Sequence, residues 1–213
     1  MKALFIDLDM TLVDTSRELI MAIAKVESEY RLGIRINRDP RLFIKAYYKE
    51  RIPGLGNSMK KWHFWRSVWM KYLENGRYGE PMPCSDSLLL TSSGRYLTAI
   101  VTGREVETRM LIEELHSYGF PTNLVRIHST GDLWPGATKR DLYEQLARIY
   151  TGLGISREEI MVISDSPRDI RFAREAGFRV IGYIPFKDPE VISMIEHEAM
   201  GTAIDTLCIN NIL

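Results

Sequence analysis

Cysteine is scarce in this sequence, which contains Cys84 and Cys208 and no other cysteine among its 213 residues. The two form no Cys-x-x-Cys pair, so the sequence predicts neither a zinc site nor a disulfide framework, and it favours a reducing compartment. No apolar run approaches the roughly 18 residues of a membrane-spanning helix, and no secretory leader precedes the first predicted strand. We therefore expect a cytoplasmic protein with no membrane partner.

The sequence also lacks net charge, because its 28 Lys and Arg residues equal its 28 Asp and Glu residues. The charges are nevertheless unevenly distributed. Residues 15–83 contain 14 Lys and Arg against 7 Asp and Glu, and the rest of the chain carries the opposite excess. This asymmetry indicates that residues 15–83 form a separate unit, and it predicts that the unit supplies positive potential to an anionic ligand.

A short apolar run lies near the start of the chain, from Leu4 to Ile6, and it ends in Asp7 and Asp9. Such a run is typical of a parallel strand that is covered on both faces, and ligands gather beyond the carboxyl ends of such strands. Two carboxylates in one small volume repel each other unless a cation or a proton relieves the repulsion. The alternative is an Asp-rich turn with Thr11 as a helix cap.

Residues 15–83 show helical spacing and no strand-like alternation, so we predict that this segment is all α. One helix is expected over 16–30, a second from Asp39 to a break at Pro53, and a third behind Asn57 or Ser58. The third helix carries an aromatic stripe at helical spacing, namely Trp62, Trp65, Trp69 and Tyr72. The favoured interpretation is a buried helix face, and the alternative is an aromatic wall that faces a substrate.

From residue 84 onward the pattern changes to repeated strand–helix units. Strands are predicted over 96–101, 124–127, 160–163 and 179–183, and helices over 87–91, 105–118, 139–150, 167–177 and 188–197. We therefore predict an α/β protein with a Rossmann-like parallel sheet. Its core would comprise residues 1–14 and 84–213, and residues 15–83 would be an inserted all-α domain.

Polar side chains recur where these predicted strands end. Thr102 and Gly103 follow one strand, Asp165 and Asp169 follow another, and Lys139 begins the helix between them. Because a parallel sheet brings such ends into one crevice, the residues are expected to meet around one ligand. Taken singly, Thr102-Gly103 could be a plain turn and Lys139 a solvated lysine. Arg104 and Arg168, which adjoin these residues, could touch the same ligand.

These residues resemble the four motifs of the haloacid dehalogenase superfamily of aspartate-nucleophile phosphotransferases. In order, the motifs are Asp7-Leu-Asp9-Met-Thr11, then Thr102, then Lys139, then Asp165-Ser-Pro-Arg-Asp169. The start is also similar to phosphoglycolate-phosphatase-like members, whose helical cap is inserted directly after the first strand, as residues 15–83 would be. The chain departs from the family where Met10 and Ser164 stand in place of common glycines and Arg140 in place of a common proline.

The resemblance implies that Asp7 is the nucleophile and forms an aspartyl-phosphate that water later hydrolyses. Mg²⁺ would be held by the carboxylates of Asp7 and Asp165 and by the backbone carbonyl of Asp9. Asp9 would protonate the leaving oxygen and then activate water.

In the same comparison, Thr102, the Gly103 amide and Lys139 would bind the transferring phosphoryl group. Asp169 would orient Lys139 or a metal-bound water.

The expected function is a Mg²⁺-dependent phosphatase that acts on a small phosphorylated metabolite. A nucleic-acid 3′-phosphatase is the alternative, because the insert is basic and aromatic, although a cap that closes over the site favours a small ligand. A phosphomutase would use the same residues, and a phosphonate hydrolase would need a Schiff-base lysine in the cap. Asp9 argues against a dehalogenase, and the intact acid and base residues argue against a non-enzymatic binding protein.

Overall fold

The computed structural model describes residues 1–31, 33–52 and 58–208, and within 58–60 it describes the backbone alone. The strands are β1 (Ala3–Asp7), β2 (Val13–Asp14), β3 (Glu80–Pro81), β4 (Leu97–Thr102), β5 (Arg126–Ser129), β6 (Ile160–Ser164), β7 (Arg179–Tyr183) and β8 (Ala203–Ile204). The helices are α1 (Ser16–Tyr30), α2 (Pro40–Tyr48), α3 (Ser58–Glu74), α4 (Ser85–Ser93), α5 (Ile112–Ser117), α6 (Lys139–Gly152), α7 (Pro167–Glu175) and α8 (Pro189–Glu198). None of these helices is long and apolar enough to cross a membrane.

Six of the described strands form one parallel sheet in the order β5-β4-β1-β6-β7-β8. β1 lies inside the sheet, where Ile6 pairs in register with Ile100 on one side and Ile163 on the other. The α/β, Rossmann-like class predicted from the sequence is therefore confirmed. The predicted strands are confirmed as well, although β5 begins two residues later than expected, at Arg126.

Every residue of β1 is buried, because side chains of successive residues enter different apolar clusters on the two faces of the sheet. Phe5 packs on one face against Tyr150 and Phe178, with ring centroids 4.9 and 5.7 Å apart. Leu4 and Ile6 belong to the cluster on the other face, which also contains the buried side chains of α1, α2 and α3. This double burial explains the uninterrupted apolar run that precedes Asp7.

The helical insert, which we define as residues 15–83, contains α1, α2 and α3, as predicted. α2 begins where expected, because the Asp39 side chain accepts hydrogen bonds from the first-turn amides and Pro40 follows it. α2 ends at Tyr48, which is earlier than the predicted break at Pro53, and Pro53 itself lies outside the described residues. The all-α prediction is wrong at one place, since β3 pairs antiparallel with β2 and the two strands link the insert to the sheet. The division into a core and an inserted domain stays a prediction.

The helix predicted over 105–118 is shorter in the structure, where a 3-10 turn over Thr108–Met110 is followed by α5. The Ser129 hydroxyl lies 2.6 Å from the carbonyl oxygens of both Arg104 and Val106. Thr130 donates to the Arg104 carbonyl as well, at 2.9 Å. The carbonyls of Arg104 and Val106 therefore accept hydrogen bonds from side chains at the end of β5, and not from amides of a following helical turn. The regular helix begins later, at Ile112.

The two cysteines form a disulfide, so the prediction of no disulfide is wrong. Cys84 precedes α4, and Cys208 lies in the tail after β8, with 5.0 Å between their Cα atoms. Because 124 residues separate the two cysteines, no local sequence pattern indicates that they pair. The pair meets because β8 adds to the sheet edge and returns the tail toward the start of α4.

Candidate active site

The loop that leaves β1 is tightly hydrogen-bonded, which fixes Asp7 and Asp9 at the sheet edge. The amides of Leu12 and Val13 donate to the Leu8 carbonyl at 2.9 and 3.0 Å, and the Met10 amide donates to the Val13 carbonyl at 2.7 Å. Met10 has a φ of 59°, in the left-handed region. This conformation explains why glycine is common at this position in the family, and Met10 adopts it at some cost in strain.

Asp7 is buried at the carboxyl end of β1, and both of its carboxylate oxygens have partners. Oδ1 lies 2.5 Å from Lys139 Nζ and accepts from the Leu8 amide at 2.9 Å. Oδ2 accepts from the Ser164 hydroxyl at 2.7 Å. Burial raises the pKa of Asp7 to about 6, against the opposing effect of the Lys139 ammonium. These contacts hold the carboxylate in one orientation, which suits a nucleophile.

Lys139 is buried at the first position of α6 and joins Asp7 to Asp169. Its Nζ donates to Asp169 Oδ2 at 3.1 Å, which is the contact that an orienting role of Asp169 would require. Burial opposes the charge on Lys139, but Asp169 and Asp7 offset that effect and its pKa is raised. Gly103 adjoins the lysine stem, since a Cβ at Gly103 would lie 3.9 Å from Lys139 Cδ.

Asp165 follows β6 and is held by side chains from two directions. Its Oδ1 accepts from the Thr11 hydroxyl at 2.6 Å, and its amide donates back to Thr11 Oγ1 at 3.0 Å. Its Oδ2 accepts from the hydroxyl of Tyr48, which is on α2 in the helical insert. Burial, followed by the charge of Asp7, raises the pKa of Asp165 to about 8.

Asp7 and Asp165 could together hold a divalent cation. Both carboxylates are buried, and each raised pKa reflects burial of a charge that a cation would relieve. Oxygen ligands of this kind suit Mg²⁺. No three side chains of His, Cys, Asp or Glu in the described ranges lie close enough together to hold a metal. A cation here would therefore need ligands besides side chains, such as the Asp9 carbonyl.

The Asp9 side chain contacts Arg104 and Thr102. Its Oδ1 lies 2.8 Å from Arg104 Nη2, and Arg104 Nε donates to both carboxylate oxygens at 3.2 and 3.1 Å. The Thr102 hydroxyl donates to Asp9 Oδ2 at 3.3 Å. Thr102 is thus near the site as predicted, but in this structure its hydroxyl contacts Asp9. Arg104 fixes the plane of the Asp9 carboxylate through a forked contact.

Arg104 is fully buried and connects Asp9 to the helical insert. On its other side it pairs with the buried carboxylate of Glu114 on α5. Its guanidinium carbon lies 4.5 Å from the ring centroid of Trp69 and 4.8 Å from that of Tyr72, both on α3. The guanidinium charge is therefore satisfied by two carboxylates and two aromatic faces, and its pKa is raised despite burial.

The predicted site residues other than Thr102, which is fully buried, line one cavity of about 380 Å³ between the sheet edge and the helical insert. Asp7, Asp9, Gly103, Lys139, Asp165 and Asp169 line its polar end. Trp62, Trp65 and Trp69 line the side formed by α3. A cavity of this size holds a small organic molecule, and its polar end carries the motif residues.

The aromatic stripe of α3 is partly a buried helix face and partly a wall of the cavity, so each of the two interpretations holds for part of it. Trp69 and Tyr72 are 7% and 1% exposed and belong to the core, as the favoured interpretation predicted. Trp62 and Trp65 are partly buried and face the cavity, as the alternative predicted. The stripe is therefore a buried helix face at one end and a wall of the site at the other.

Sequence reasoning missed several contacts in this site. Tyr48 reaches Asp165 from another part of the chain, and nothing in the local pattern of α2 distinguishes it from a core residue. Ser164 had a detectable signal, because it stands where the family commonly has glycine, and it donates to Asp7. Glu105 was assigned to a helix, although its side chain lines the cavity.

Comparisons with known proteins agree with this geometry. The family model of haloacid dehalogenase-like hydrolases matches residues 4–183. No curated protein sequence matches significantly. Among solved structures, a protein from Bacteroides vulgatus provisionally named beta-phosphoglucomutase has 16% identity and a TM-score of 0.66, with 97% of this chain and 84% of that chain covered.

Two further structures have similar folds. A provisionally named phosphoglycolate phosphatase from Haemophilus somnus 129PT has 18% identity and a TM-score of 0.65, with 97% of this chain and 95% of that chain covered. A 2-haloacid dehalogenase from Pseudomonas syringae pv. tomato DC3000 has 18% identity and a TM-score of 0.55, with 86% of each chain covered. Their names differ in activity, so the likeness establishes the fold alone. The family match over most of the chain, together with the motif residues around one cavity, establishes that the chain belongs to the haloacid dehalogenase-like hydrolases.

Proposed function

We propose that this protein is a Mg²⁺-dependent phosphatase that hydrolyses a small phosphomonoester through an aspartyl-phosphate on Asp7. The observation that carries the proposal is the arrangement of Asp7. It is a buried carboxylate held by Lys139 and Ser164 at the polar end of a small cavity, with Asp9 beside it. An oriented carboxylate beside a fixed ammonium suits in-line attack on a phosphoryl group.

The remaining roles follow from where each side chain lies. Lys139 would neutralise charge on the phosphoryl oxygens, and the Gly103 amide would donate to them. Mg²⁺, held by Asp7, Asp165 and the Asp9 carbonyl, would supply further positive charge against the repulsion between carboxylate and phosphate. Asp9 would protonate the leaving oxygen, and the resulting carboxylate would later take a proton from the attacking water. Asp169 would keep Lys139 in place.

A small phosphorylated metabolite is the proposed partner, because the cavity of about 380 Å³ offers little room for a polymer. This size counts against the nucleic-acid 3′-phosphatase alternative. A phosphomutase must also hold a second phosphate. Glu105, an acidic residue, is among those that line the cavity and disfavours a second phosphate beside it. The cytoplasmic location stays a prediction, and the disulfide removes one of its grounds.

The test is hydrolysis of an aryl phosphate by purified protein with Mg²⁺ and with the metal chelated. We expect turnover with Mg²⁺, no turnover after chelation, and none in Asp7→Asn, because an amide is a poor nucleophile and a neutral ligand. Asp86→Asn, an exposed aspartate in the first turn of α4, is the matched control and should keep full activity. Undiminished activity in Asp7→Asn would contradict the covalent mechanism.

A further inference from the structure

Glu105 lies in a short non-helical segment between β4 and the 3-10 turn, and this segment is fastened to the helical insert. Arg66 on α3 donates from Nη1 to the Glu105 carbonyl at 2.8 Å and from Nη2 to Glu107 Oε1 at 3.1 Å. The Arg104 carbonyl just before it is held by Ser129. The backbone of Glu105 is thus fixed from both the insert and the sheet, while its side chain lines the cavity.

The carboxyl group of Glu105 has an unused hydrogen-bonding atom. Its Oε2 is buried and has no hydrogen-bond partner in the part of the chain that the structure describes. Burial raises the pKa of Glu105 to about 8, with Arg168 and Trp69 opposing the rise. A buried polar atom without a partner costs free energy, and such atoms in native structures call for an explanation. A ligand group in the cavity would satisfy Oε2 after a rotation of the carboxyl group that brings this oxygen to the cavity surface.

A cationic amine is disfavoured at this position, because three of the aromatic rings that line the cavity already carry arginines. Arg104 lies over Trp69 at 4.5 Å, and Arg66 lies over Trp62 at 5.8 Å. Arg168 similarly lies over the Tyr47 ring at 5.8 Å. A further cation in this cavity would therefore compete with guanidinium groups at three of these rings.

An anionic group fits poorly as well, since it would approach the Glu105 carboxyl beside the charge of Asp9, which raises the pKa of Glu105 further. Arg168 is already shared, with Glu50 at 3.5 Å and Asp169 at 3.7 Å. Lys61 also lines the cavity and is the residue that could favour an anion there. A neutral hydroxyl can both donate to and accept from a carboxyl group, in either of its protonation states.

We infer that Glu105 is a specificity-determining residue that hydrogen-bonds a hydroxyl group on the non-phosphoryl part of the substrate. The substrate class is then a polyol or sugar phosphate, whose carbon skeleton packs against Trp62 and Trp65. This inference rests on the proposed phosphatase function. The inference favours hydroxylated phosphate esters as substrates over phosphorylated carboxylic acids such as phosphoglycolate. The family resemblance alone does not distinguish these two substrate classes.

The test compares three phosphomonoesters of equal chain length, at several lengths: a polyol phosphate, the unsubstituted alkyl phosphate, and the counterpart ending in a carboxylate. For the wild-type protein we expect kcat/KM to be at least about tenfold higher for the polyol phosphate than for either analogue at the best chain length. In Glu105→Leu this preference should fall to about threefold or less, while Glu105→Gln, which keeps an acceptor oxygen, should retain most of it. Glu113→Leu changes an exposed glutamate on α5 and should leave the preference unchanged.

The outcomes are distinguishable. Equal rates for polyol and alkyl phosphates, a preference retained in Glu105→Leu, or a faster carboxylate ester would each overturn the inference while leaving the phosphatase function standing. If no phosphomonoester is turned over, the phosphatase function fails. Calorimetric titration of the same compounds into Asp7→Asn, with and without Glu105→Leu, then decides on Glu105 by binding alone. Circular dichroism of each variant shows that a lost preference is not lost folding.

Discussion

The three aspartates Asp7, Asp9 and Asp165 have the same carboxylate group but different neighbours. Asp7 is held by an ammonium and a hydroxyl, whereas Asp165 is held by the hydroxyls of Thr11 and Tyr48. Asp9 lies in the fork of a buried guanidinium, with 22% of its side chain exposed. Of these three, Asp9 is the most accessible from the cavity. In the proposed mechanism this exposure lets Asp9 exchange a proton with the substrate, while Asp7 and Asp165 stay shielded from solvent.

The acid role of Asp9 predicts a rate loss that depends on the leaving group. Asp9→Asn keeps the backbone carbonyl, so substrate binding should survive while turnover of alkyl phosphates falls by about 10²–10⁴-fold. Aryl phosphates should lose less, because their leaving groups need less protonation. Steady-state kinetics on an alkyl and aryl pair checks this, with Asp86→Asn as the control. An equal loss for both substrates would mean that Asp9 is not the acid.

At the scale of elements, charged contacts join the helical insert to the start of α8. Lys45 on α2 pairs with Asp188 at 3.3 Å and with Glu190 at 2.5 Å, and Lys49 pairs with Glu190 as well. Part of the positive excess of the insert therefore faces acidic residues around the start of α8. This differs from the prediction that the insert directs its charge at a ligand. Of its lysines, Lys61 lines the cavity.

The buried pair between Arg104 and Glu114 connects α5 to α3 and predicts a large effect on stability. Glu114 also accepts hydrogen bonds from the hydroxyls of Tyr72 and Tyr118, each at 2.9 Å. Glu114→Gln would leave the buried guanidinium with Asp9 as its remaining carboxylate, so the free energy of unfolding should fall by about 3–5 kcal/mol. Urea denaturation measures this loss, and Glu113→Gln on the same helix should change stability by less than about 0.5 kcal/mol. Equal stability of the two variants would contradict the account of Arg104.

The sequence predicted elements better than it predicted contacts between them. The apolar run before Asp7, the aspartate at position 39 and the proline after Ser166 specify local structure. β1 formed as expected, and α2 and α7 start where expected. Where a distant side chain decides the outcome, local pattern fails. Ser129 shortens the helix predicted after Glu105. Tyr48 reaches Asp165 from 117 residues away in the sequence, and no spacing rule brings the two together.

At the scale of the whole molecule, the tail after β8 is tied to the junction where the helical insert ends. The Cys84–Cys208 disulfide closes a loop of 124 residues that contains most of the sheet and the helices α4 to α8. A crosslink over a long loop stabilises the folded state mainly by restricting the unfolded chain. β8 has only two residues, so its pairing alone holds this edge of the sheet weakly. The disulfide adds a covalent bond that holds the chain segment after β8 in place.

Reduction of this disulfide should lower the free energy of unfolding by about 2–4 kcal/mol. Thermal unfolding with and without a thiol reductant measures the change, and thiol titration of denatured protein should find free thiols only after reduction. The double variant Cys84→Ser with Cys208→Ser should have the lower stability and no response to reductant. Free thiols in unreduced protein would show that the bond does not form.

The central claim is that Asp7 carries the phosphoryl group, and the most direct measurement is to trap it there. Asp9→Asn should slow the attack of water, so protein mixed with an aryl phosphate and Mg²⁺ and then quenched in acid should hold the intermediate. Tandem mass spectrometry of the peptide containing Asp7 should find the mass of one added phosphoryl group on that residue and none in the variant that also carries Asp7→Asn. Turnover with no phosphorylated Asp7, or with the phosphoryl group on another residue, would contradict the account.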